Sequence, residues 1–294
     1  MSKTILVVGA TGNYGQPVCR QLKEDGFDVR VYTRKRAKAV EKFGDGFPIY
    51  EGTIEEDASL RKALEGCHGV HINLRGWWKQ RSHDRVEHRG TANIVRLARE
   101  AGVERVTYIT NLHARAEYAS RFPHLKAKWD AEQAIRASGV PFTIFACAFF
   151  MENLHHLGEG SSIRFTRLDR SYHYVAAEDY ARILAKAYQT PEAANKRFDL
   201  YGPESIHADE AMRLYCSIVR PEAKLTAVPR WLSAIYVHLT RNVNFQYTMR
   251  VLKLHQEFGE PGDPERADHS LGRPTTTFRQ WCEAQRPAQQ PAAA

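Results

Sequence analysis

Three glycines near the start of the chain have the spacing of a phosphate-binding turn. Gly9, Gly12 and Gly15 separate an apolar run at residues 4–8 from an amphipathic segment that is typical of a helix. Glycines in such a turn let the backbone approach a pyrophosphate closely, and the N–H groups that open the helix then point at the anion. A second apolar strand follows at residues 29–32, as a dinucleotide-binding unit requires. We therefore predict a dinucleotide site whose contacts come from Gly9, Thr11, Gly12, Asn13, Tyr14 and Gly15.

Basic residues follow the second predicted strand, at the place where the two nicotinamide cofactors are normally distinguished. Residues 34–38 include four cations and no acidic side chain. An acid here would bind a pair of ribose hydroxyls, whereas guanidinium and ammonium groups bind a 2′-phosphate. We therefore expect NADP(H), with Arg34 and Lys38 as contacts. The alternative is a solvated basic start to the next helix, although the helix dipole disfavours cations at that end.

A histidine and a lysine have the spacing of a proton-transfer pair. His124 and Lys128 stand four residues apart, on or just before a predicted helix over residues 126–137, so their side chains share one face. None of the thirteen tyrosines has a lysine four residues later, so the usual tyrosine–lysine acid pair is absent from the sequence. His124 could donate a proton in its place. The alternative is that His124 caps the helix or packs beneath the loop after Pro123.

Apolar strands and helices alternate through the first half of the chain and must position these groups. Predicted strands cover residues 4–8, 29–32, 48–51, 69–74, 105–110 and 141–145, and predicted helices cover residues 57–64, 85–101 and 126–137. This alternation predicts an α/β fold of Rossmann type, a doubly wound parallel sheet with helices on both faces. Ligands of such sheets bind beyond the carboxyl ends of the strands, so we expect Asn73, Leu74 and Arg75 on the path of the cofactor.

Two aromatic residues follow that strand exit. Trp77 and Trp78 are suited to stacking on a flat substrate, although such a pair also fills hydrophobic gaps or oligomer contacts.

The alternation loosens after Met151, which predicts a second domain. We assign residues 1–150 to an NADP(H)-binding domain, with later segments such as 172–202 able to return to it. Residues 151–285 are assigned to a smaller α+β substrate domain, which includes predicted helices at residues 178–188, 208–219 and 232–258. The last stretch, residues 286–294, lacks apolar periodicity and is predicted to be a disordered tail.

Composition narrows the class of protein. The 294 residues carry a formal net charge of +8, but the cations are spread along the chain without a nucleic-acid reading module, so we expect a small-molecule substrate and no nucleic-acid partner. No apolar run reaches membrane-spanning length and the N-terminus has no signal-peptide pattern, so we expect a cytoplasmic protein without a membrane partner. Five dispersed cysteines and thirteen histidines form no ligand array, which predicts free thiols and no metal. A homodimer is one arrangement that the sequence leaves open.

Several motifs in consistent order resemble the NmrA-like branch of the atypical short-chain dehydrogenase/reductases, and the resemblance spans nearly the whole chain. They are the glycine turn, the basic segment at Arg34, and the stretches at residues 87–95, 124–132, 136–144, 149–153, 202–204 and 271–274. The resemblance implies a Rossmann domain that binds NADP(H) and a smaller C-terminal domain that closes a pocket over the nicotinamide. It further implies that Lys128, rather than the nearby Lys126, contacts the nicotinamide ribose and orients the cofactor.

The same resemblance places the second aromatic stretch beside the nicotinamide. Phe150 and Asn153 are expected to contact the cofactor, with Phe149 and Cys147 on the substrate side. The chain departs from the family where Ala146, Cys147 and Ala148 replace an Arg-Pro-Gly stretch, and where Thr53 replaces an aspartate. Because no base adjoins the Cys147 thiol, we interpret it as packing rather than as a nucleophile.

Activity differs between members of the family. Some resemble NADPH-dependent reductases of quinones, dyes or conjugated aromatics, and others are non-catalytic proteins that sense NADP(H). We predict an NADPH-dependent oxidoreductase that transfers hydride to a small planar electrophile, such as a quinone, carbonyl or enone. The alternative is an NADP(H)-sensing regulatory protein.

Overall fold

The computed structural model describes residues 2–76, 82–156, 162–167, 169–229, 231–233 and 253–286, with residues 235 and 249. Its strands, in chain order, are β1 (Thr4–Val8), β2 (Asp28–Thr33), β3 (Ile49–Glu51), β4 (Gly69–Ile72), β5 (Arg105–Asn111), β6 (Phe142–Cys147), β7 (Phe149–Phe150), β8 (Ser162–Thr166), β9 (Ser171–Val175), β10 (Lys196–Leu200), β11 (Ser205–His207) and β12 (Lys224–Val228). Its principal α-helices are α1 (Gly15–Glu24), α2 (Arg36–Phe43), α3 (Asp57–Leu64), α4 (Gly90–Glu100), α5 (Ala116–Ala119), α6 (Pro123–Ala137), α7 (Ala177–Gln189), α8 (Ala208–Val219), α9 (Glu265–Leu271) and α10 (Phe278–Ala284).

Seven parallel strands form the main sheet, in the order β10-β6-β5-β4-β1-β2-β3. The central strand β1 pairs with β2 on one side and with β4 on the other, so the strand order reverses between them. Chain connections leave on opposite sides at such a reversal and open a crevice beyond the carboxyl ends of the two strands. The predicted doubly wound, Rossmann-type fold is confirmed.

Strand β1 is apolar after its first residue, Thr4, because both faces of a parallel sheet are covered. Ile5, Leu6 and Val7 of β1 are completely buried. Helix α1 buries Val18 and Leu22 on one side. This packing fixes β1 and α1, and with them the turn that joins them.

The chain divides into two compact units. The first comprises Met1–Ala148, Ala177–Tyr201 and Pro261–Pro274, and the second comprises Phe149–Ala176, Gly202–Glu260 and Thr275–Ala294. Helix α7 and strand β10 thus belong with the first unit, where β10 extends the seven-stranded sheet beside β6. The segment at residues 261–274 is tied to the same unit, since the Asp263 N–H donates to Asp199 Oδ2 at 3.1 Å.

The second unit contains a three-stranded sheet, β11-β9-β7, and the parallel pair β12-β8. Helix α10 is anchored there because the Trp281 indole N–H donates to Glu152 Oε1 at 3.0 Å and the Phe278 N–H donates to Glu204 Oε1 at 2.8 Å. Its first turn is closed by a capping box between Thr277 and Gln280. The assignment of substrate binding to this unit stays a prediction.

Two helices differ from their predicted bounds. The helix predicted over residues 85–101 consists of a π-helical turn, His83–Arg89, followed by α4. Helix α6 starts at Pro123 rather than near residue 126, since proline is favoured in the first helical turn where its missing N–H costs nothing. His124 therefore lies inside the helix, one turn before Lys128.

The five cysteines are buried free thiols, as the sequence predicts. Within the part of the chain that the structure describes, no helix is both long and apolar enough to cross a membrane. Trp77, Trp78, most of the predicted helix at 232–258 and residues 287–294 of the predicted tail lie outside the described residues.

Candidate functional site

The glycine turn after β1 is built from close backbone contacts. Gly9 has a φ of +85°, and a Cβ on it would lie 2.0 Å from the Asn73 carbonyl oxygen. A Cβ on Gly15 would lie 2.4 Å from the Gly9 carbonyl oxygen. Only glycine fits at these two positions, and the Gly12 N–H closes the turn by donating to the Gly9 carbonyl at 3.1 Å. The turn therefore presents backbone rather than side chains to the crevice between β1 and β4.

The start of helix α1 suits an anion. Its N-cap, Tyr14, makes no side-chain capping bond, and the first turn, all of whose residues are described, carries no acidic side chain. Gly12 and Asn13 are exposed at the entrance. A helix N-terminus carries partial positive charge, and no acidic side chain in this first turn opposes an anion, so this end of α1 fits the diphosphate of a dinucleotide.

One cation of the basic segment after β2 is held by hydrogen bonds to a neighbouring strand. The Arg36 guanidinium donates to the Ile49 carbonyl at 2.9 Å, and its backbone N–H donates to Glu51 Oε1 at 3.0 Å, so Arg36 is tied to β3. Arg34 and Lys38 are exposed. Lys35 is exposed as well, so three cations are available to a phosphate near the end of β2, and the roles of Arg34 and Lys38 stay predictions.

The strand exit after β4 is held from several sides. The Asn73 N–H donates to the Val8 carbonyl at 3.0 Å, which joins the exits of β4 and β1. Lys128 Nζ donates to the Leu74 carbonyl at 3.5 Å, and the Gly76 N–H donates to Glu87 Oε1 at 2.7 Å. The main chain of residues 73–76 thus connects the glycine turn to Lys128.

Lys128 and Lys126 have different surroundings. The Lys128 side chain is only 16% exposed, and its Nζ lies 3.2 Å from Glu87 Oε2 and 5.4 Å from the ring centroid of Tyr108. Lys126 is exposed and pairs with Asp130 on the surface. The structure thus places Lys128, and not Lys126, beside the strand exit where the cofactor is expected.

Glu87 is a site residue that the sequence reasoning missed. Its carboxylate is almost completely buried and accepts from the Gly76 N–H and from His83 Nδ1, at 2.7 Å and 2.8 Å. Burial acts to raise its pKa, but Lys128, His83 and the Gly76 N–H together lower the pKa to about 2. Glu87 is therefore a carboxylate at neutral pH. Its only signal in the sequence is its place in the motif at residues 87–95.

His124 is buried in the first turn of α6. Its ring centroid lies 6.0 Å from that of His83 and 5.9 Å from that of Phe122. Burial lowers the pKa of His124 to about 3, so the imidazole is neutral at pH 7. It can act there only through a neutral N–H or nitrogen lone pair, not as an imidazolium acid.

The remaining predicted residues lie in two different parts of the chain. Cys147 ends β6 in the first unit, and burial raises the pKa of its thiol, which fits the inert role assigned to it. Phe149 and Phe150 form β7 of the second unit, where the Phe149 ring lies 4.2 Å from the His255 ring, centroid to centroid. Asn153 lies in the 3₁₀ turn Met151–His156 of that unit. Their contacts with cofactor and substrate stay predictions.

No metal cluster is found in the described ranges: no three or more His, Cys, Asp or Glu side chains converge there to hold an ion.

Comparisons with known proteins identify relatives over most of the chain. A sequence model described as "NmrA-like family" matches residues 1–283. The photosystem II assembly factor Ycf39 of Cyanophora paradoxa is 26% identical over 251 residues, which cover 82% of this chain and 75% of that protein. The NAD(P)H azoreductase of Xenophilus azovorans is 27% identical over 224 residues, which cover 74% of each chain.

The fold is also similar to that of a solved reductase. The triphenylmethane reductase of Citrobacter sp., crystallised with NADP(H), superposes with a TM-score of 0.74 over 96% of this chain and 99% of that chain, at 18% identity. At this identity the likeness establishes the fold and no more.

Proposed function

Because this chain belongs to the NmrA-like family, we propose that it is an NADPH-dependent oxidoreductase that reduces a small planar electrophile, such as a quinone, carbonyl or enone. Its cofactor is NADP(H). The observation that carries the proposal is the glycine turn at the crevice between β1 and β4, with exposed Arg34 and Lys38 after the neighbouring strand. The azoreductase among its relatives supports the same reaction type.

Different residues of the first unit bind different parts of the cofactor. The N–H groups at the start of α1 receive the diphosphate, and Arg34 with Lys38 receive the 2′-phosphate. Lys128 orients the nicotinamide ribose. When bound, NADPH supplies the hydride, so the protein has to position the two reactants and stabilise the negative charge that develops on the substrate.

Charge at the candidate site bears on the source of the proton. His124 is neutral at pH 7 and so does not serve as an imidazolium acid. Lys128 stands beside the Glu87 carboxylate as a positive charge, which suits it to stabilising a developing anion. We therefore assign the proton that follows the hydride to a water molecule, with Lys128 as an electrostatic group rather than as the acid.

A turnover assay tests the proposal. The purified chain is incubated with NADPH and a panel of quinones, enones, aldehydes and azo dyes, and oxidation of the cofactor is followed by its absorbance. We expect turnover with at least one planar acceptor and a preference for NADPH over NADH. Tight NADPH binding without turnover of any acceptor would overturn the enzymatic proposal and leave the cofactor site intact.

The similarity to an assembly factor favours one second candidate, an NADP(H)-sensing regulatory protein. Such a protein needs the same cofactor site but no acceptor site. It predicts binding of NADPH and NADP⁺ with different affinities, no turnover, and an association with a protein partner that changes with the redox state of the nucleotide. Calorimetric titration with each nucleotide, run beside the acceptor panel, separates the two candidates.

A further inference from the structure

We propose that Glu87 is the positioning residue of this site, which holds Lys128 and the main chain after β4 in a single arrangement. The inference rests on the proposed function, since that function assigns Lys128 to the cofactor. Glu87 itself is given no contact with cofactor or substrate.

Both oxygens of the Glu87 carboxylate are engaged, each with a different segment of the chain. Oε1 accepts from the Gly76 N–H after β4 and from His83 at the start of the π-helical turn. Oε2 lies 3.2 Å from Lys128 Nζ on α6. One buried carboxylate in the π-helical turn therefore connects the strand exit after β4 with helix α6.

Because residue 76 is a glycine, the main chain after β4 can approach the π-helical turn closely. A Cβ on Gly76 would lie 2.7 Å from His83 Cα and 2.8 Å from His83 Nδ1, so the strand exit packs directly against the π-helical turn. Lys128 holds the same exit at the Leu74 carbonyl. In the segment from Asn73 to Gly76, which borders the glycine turn, Glu87 thus holds Gly76 directly and Leu74 through Lys128.

The local helix geometry supports a special role for this residue. Glu87 lies in the π-helical turn His83–Arg89, and single π turns within helices occur frequently at functional sites. Burying a charged pair costs desolvation free energy, and an apolar pair of similar size is often as stable or more so. A requirement for stability alone therefore does not explain why Glu87 and Lys128 are charged. A requirement to place one ammonium group does.

Lysine needs such a partner because its ammonium group ends a flexible four-carbon chain. Without the Glu87 carboxylate, Lys128 Nζ retains the Leu74 carbonyl and the face of Tyr108, neither of which carries a full negative charge. The charge of Glu132 also acts on Lys128, but Glu132 is shared with Arg197 and Arg136. We therefore expect the ammonium to leave its place when Glu87 loses its charge, even though the fold is kept.

A double-mutant cycle tests this inference. Glu87→Gln keeps the size of the side chain and an oxygen for the Gly76 N–H, but removes the charge that faces Lys128. We expect Glu87→Gln to weaken NADPH binding about tenfold in the wild-type background. A change of this size is within the range of coupling energies measured between residues in direct contact, as Glu87 and Lys128 are. In the Lys128→Met background the same change should alter binding less than about twofold, because its effect acts through Lys128.

Two controls make the cycle specific. Asp130→Asn removes the carboxylate partner of Lys126 on the exposed part of the same helix, and it should leave NADPH affinity unchanged. Circular dichroism establishes that each variant is folded, and if Glu87→Gln does not fold, the cycle is run with Glu87→Asp, which withdraws the carboxylate by one methylene group.

Equal losses of NADPH affinity in both backgrounds would overturn the inference, since they would mean that Glu87 acts on the fold generally. No loss in the wild-type background would overturn it as well. Because the readout is cofactor binding, the cycle remains informative if no acceptor is ever turned over, and failure of the enzymatic proposal is thus distinguished from failure of this one.

Discussion

The carbonyl oxygen of Asn73 occupies the place where a side chain on Gly9 would begin, with only 2.0 Å between that oxygen and an ideal Cβ. Gly9 is the first residue after β1, and Asn73 is the first residue after β4. Their contact therefore sets the width of the crevice between the two strands. Any larger residue at position 9 must push the strand exits apart.

Substitution of Gly9 should therefore abolish cofactor binding. Gly9→Ala adds both the backbone strain of a positive φ and a clash with main-chain atoms that cannot rotate away. Gly26→Ala is the matched control, because Gly26 has a φ of +84° but open space around its Cβ position. We expect Gly26→Ala to lower the unfolding free energy by about 1 kcal/mol and to leave NADPH binding unchanged. Equal NADPH affinities in the two variants, measured by calorimetry, would contradict the role of this contact.

Substitution of Arg34 should change cofactor preference rather than cofactor binding in general. Loss of a charge-assisted bond to the 2′-phosphate should weaken NADPH by about 1.5–3 kcal/mol, which is tenfold or more in Kd. NADH lacks that phosphate, so its Kd should stay the same in Arg34→Ala. Arg36→Ala serves as the control, because the Arg36 guanidinium is committed to the Ile49 carbonyl. If Arg34→Ala weakened the binding of NADPH and NADH equally, Arg34 would contact a part that both cofactors share rather than the 2′-phosphate.

Removal of only one partner of the buried Lys128–Glu87 pair should lower the unfolding free energy, because the other charge stays buried without its partner. Lys128→Met leaves the Glu87 carboxylate buried without its cation, and we expect the unfolding free energy to fall by about 3 kcal/mol. Adding Glu87→Gln removes the stranded charge and should recover part of that loss. Lys126→Met, on the same helix but at an exposed pair, should cost less than about 1 kcal/mol. Urea denaturation measures the three variants and the wild type, and a double variant less stable than Lys128→Met alone would contradict this account.

The sequence predicted the parts of the structure that depend on local pattern. The observed strands of the main sheet begin and end within a residue or two of the predicted ones wherever the prediction covered them, because buried parallel strands are short continuous apolar runs. Helices α3 and α8 have the predicted bounds, since their apolar faces repeat with helical periodicity. The strands β8, β11 and β12 were not predicted, because their residues mix polar and apolar side chains and lack the continuous apolar run of the buried strands.

The candidate site was predicted less completely, and Glu87 shows why. It stands in a charged stretch with Asp84, Arg85 and Arg89, which from the sequence is typical of a solvated helix face. The π-helical turn at residues 83–89 interrupts the regular helical period, so the phase of α4 does not indicate which of these side chains points inward. His124 raised a related difficulty: its burial depends on a helix that starts at Pro123, three residues before the predicted bound.

The unfolding free energy should depend on pH because His71 is buried. The side chain is completely buried in β4, and its Nδ1 lies 2.9 Å from Thr107 Oγ1, which in turn lies 3.0 Å from the Tyr188 hydroxyl. Burial lowers the pKa of His71 to about 3 from an ordinary value of 6.5. The native protein therefore keeps the ring neutral over a range in which the unfolded chain binds a proton.

The sign of the pH dependence follows from this difference. Between pH 6.5 and pH 3 the unfolded state binds more protons at this position, so the unfolding free energy should fall as the pH is lowered, by at most about 1.4 kcal/mol per pH unit from His71. His71→Asn retains a hydrogen-bonding group for Thr107 but cannot titrate. It should be less stable than the wild type at pH 7, yet its stability should decline less steeply between pH 6 and pH 4.

Thr107→Val is the control for this prediction. It removes the hydrogen bond to His71 while it keeps the titrating ring buried, so it should lower stability without flattening the pH dependence. Urea denaturation of the wild type and both variants at several pH values measures the slopes. His124, whose pKa is also lowered by burial, contributes to the slope in all three proteins and so cancels in the comparison. If His71→Asn and the wild type lose stability at the same rate on acidification, the buried neutral histidine in β4 is not the source of the acid sensitivity assigned to it.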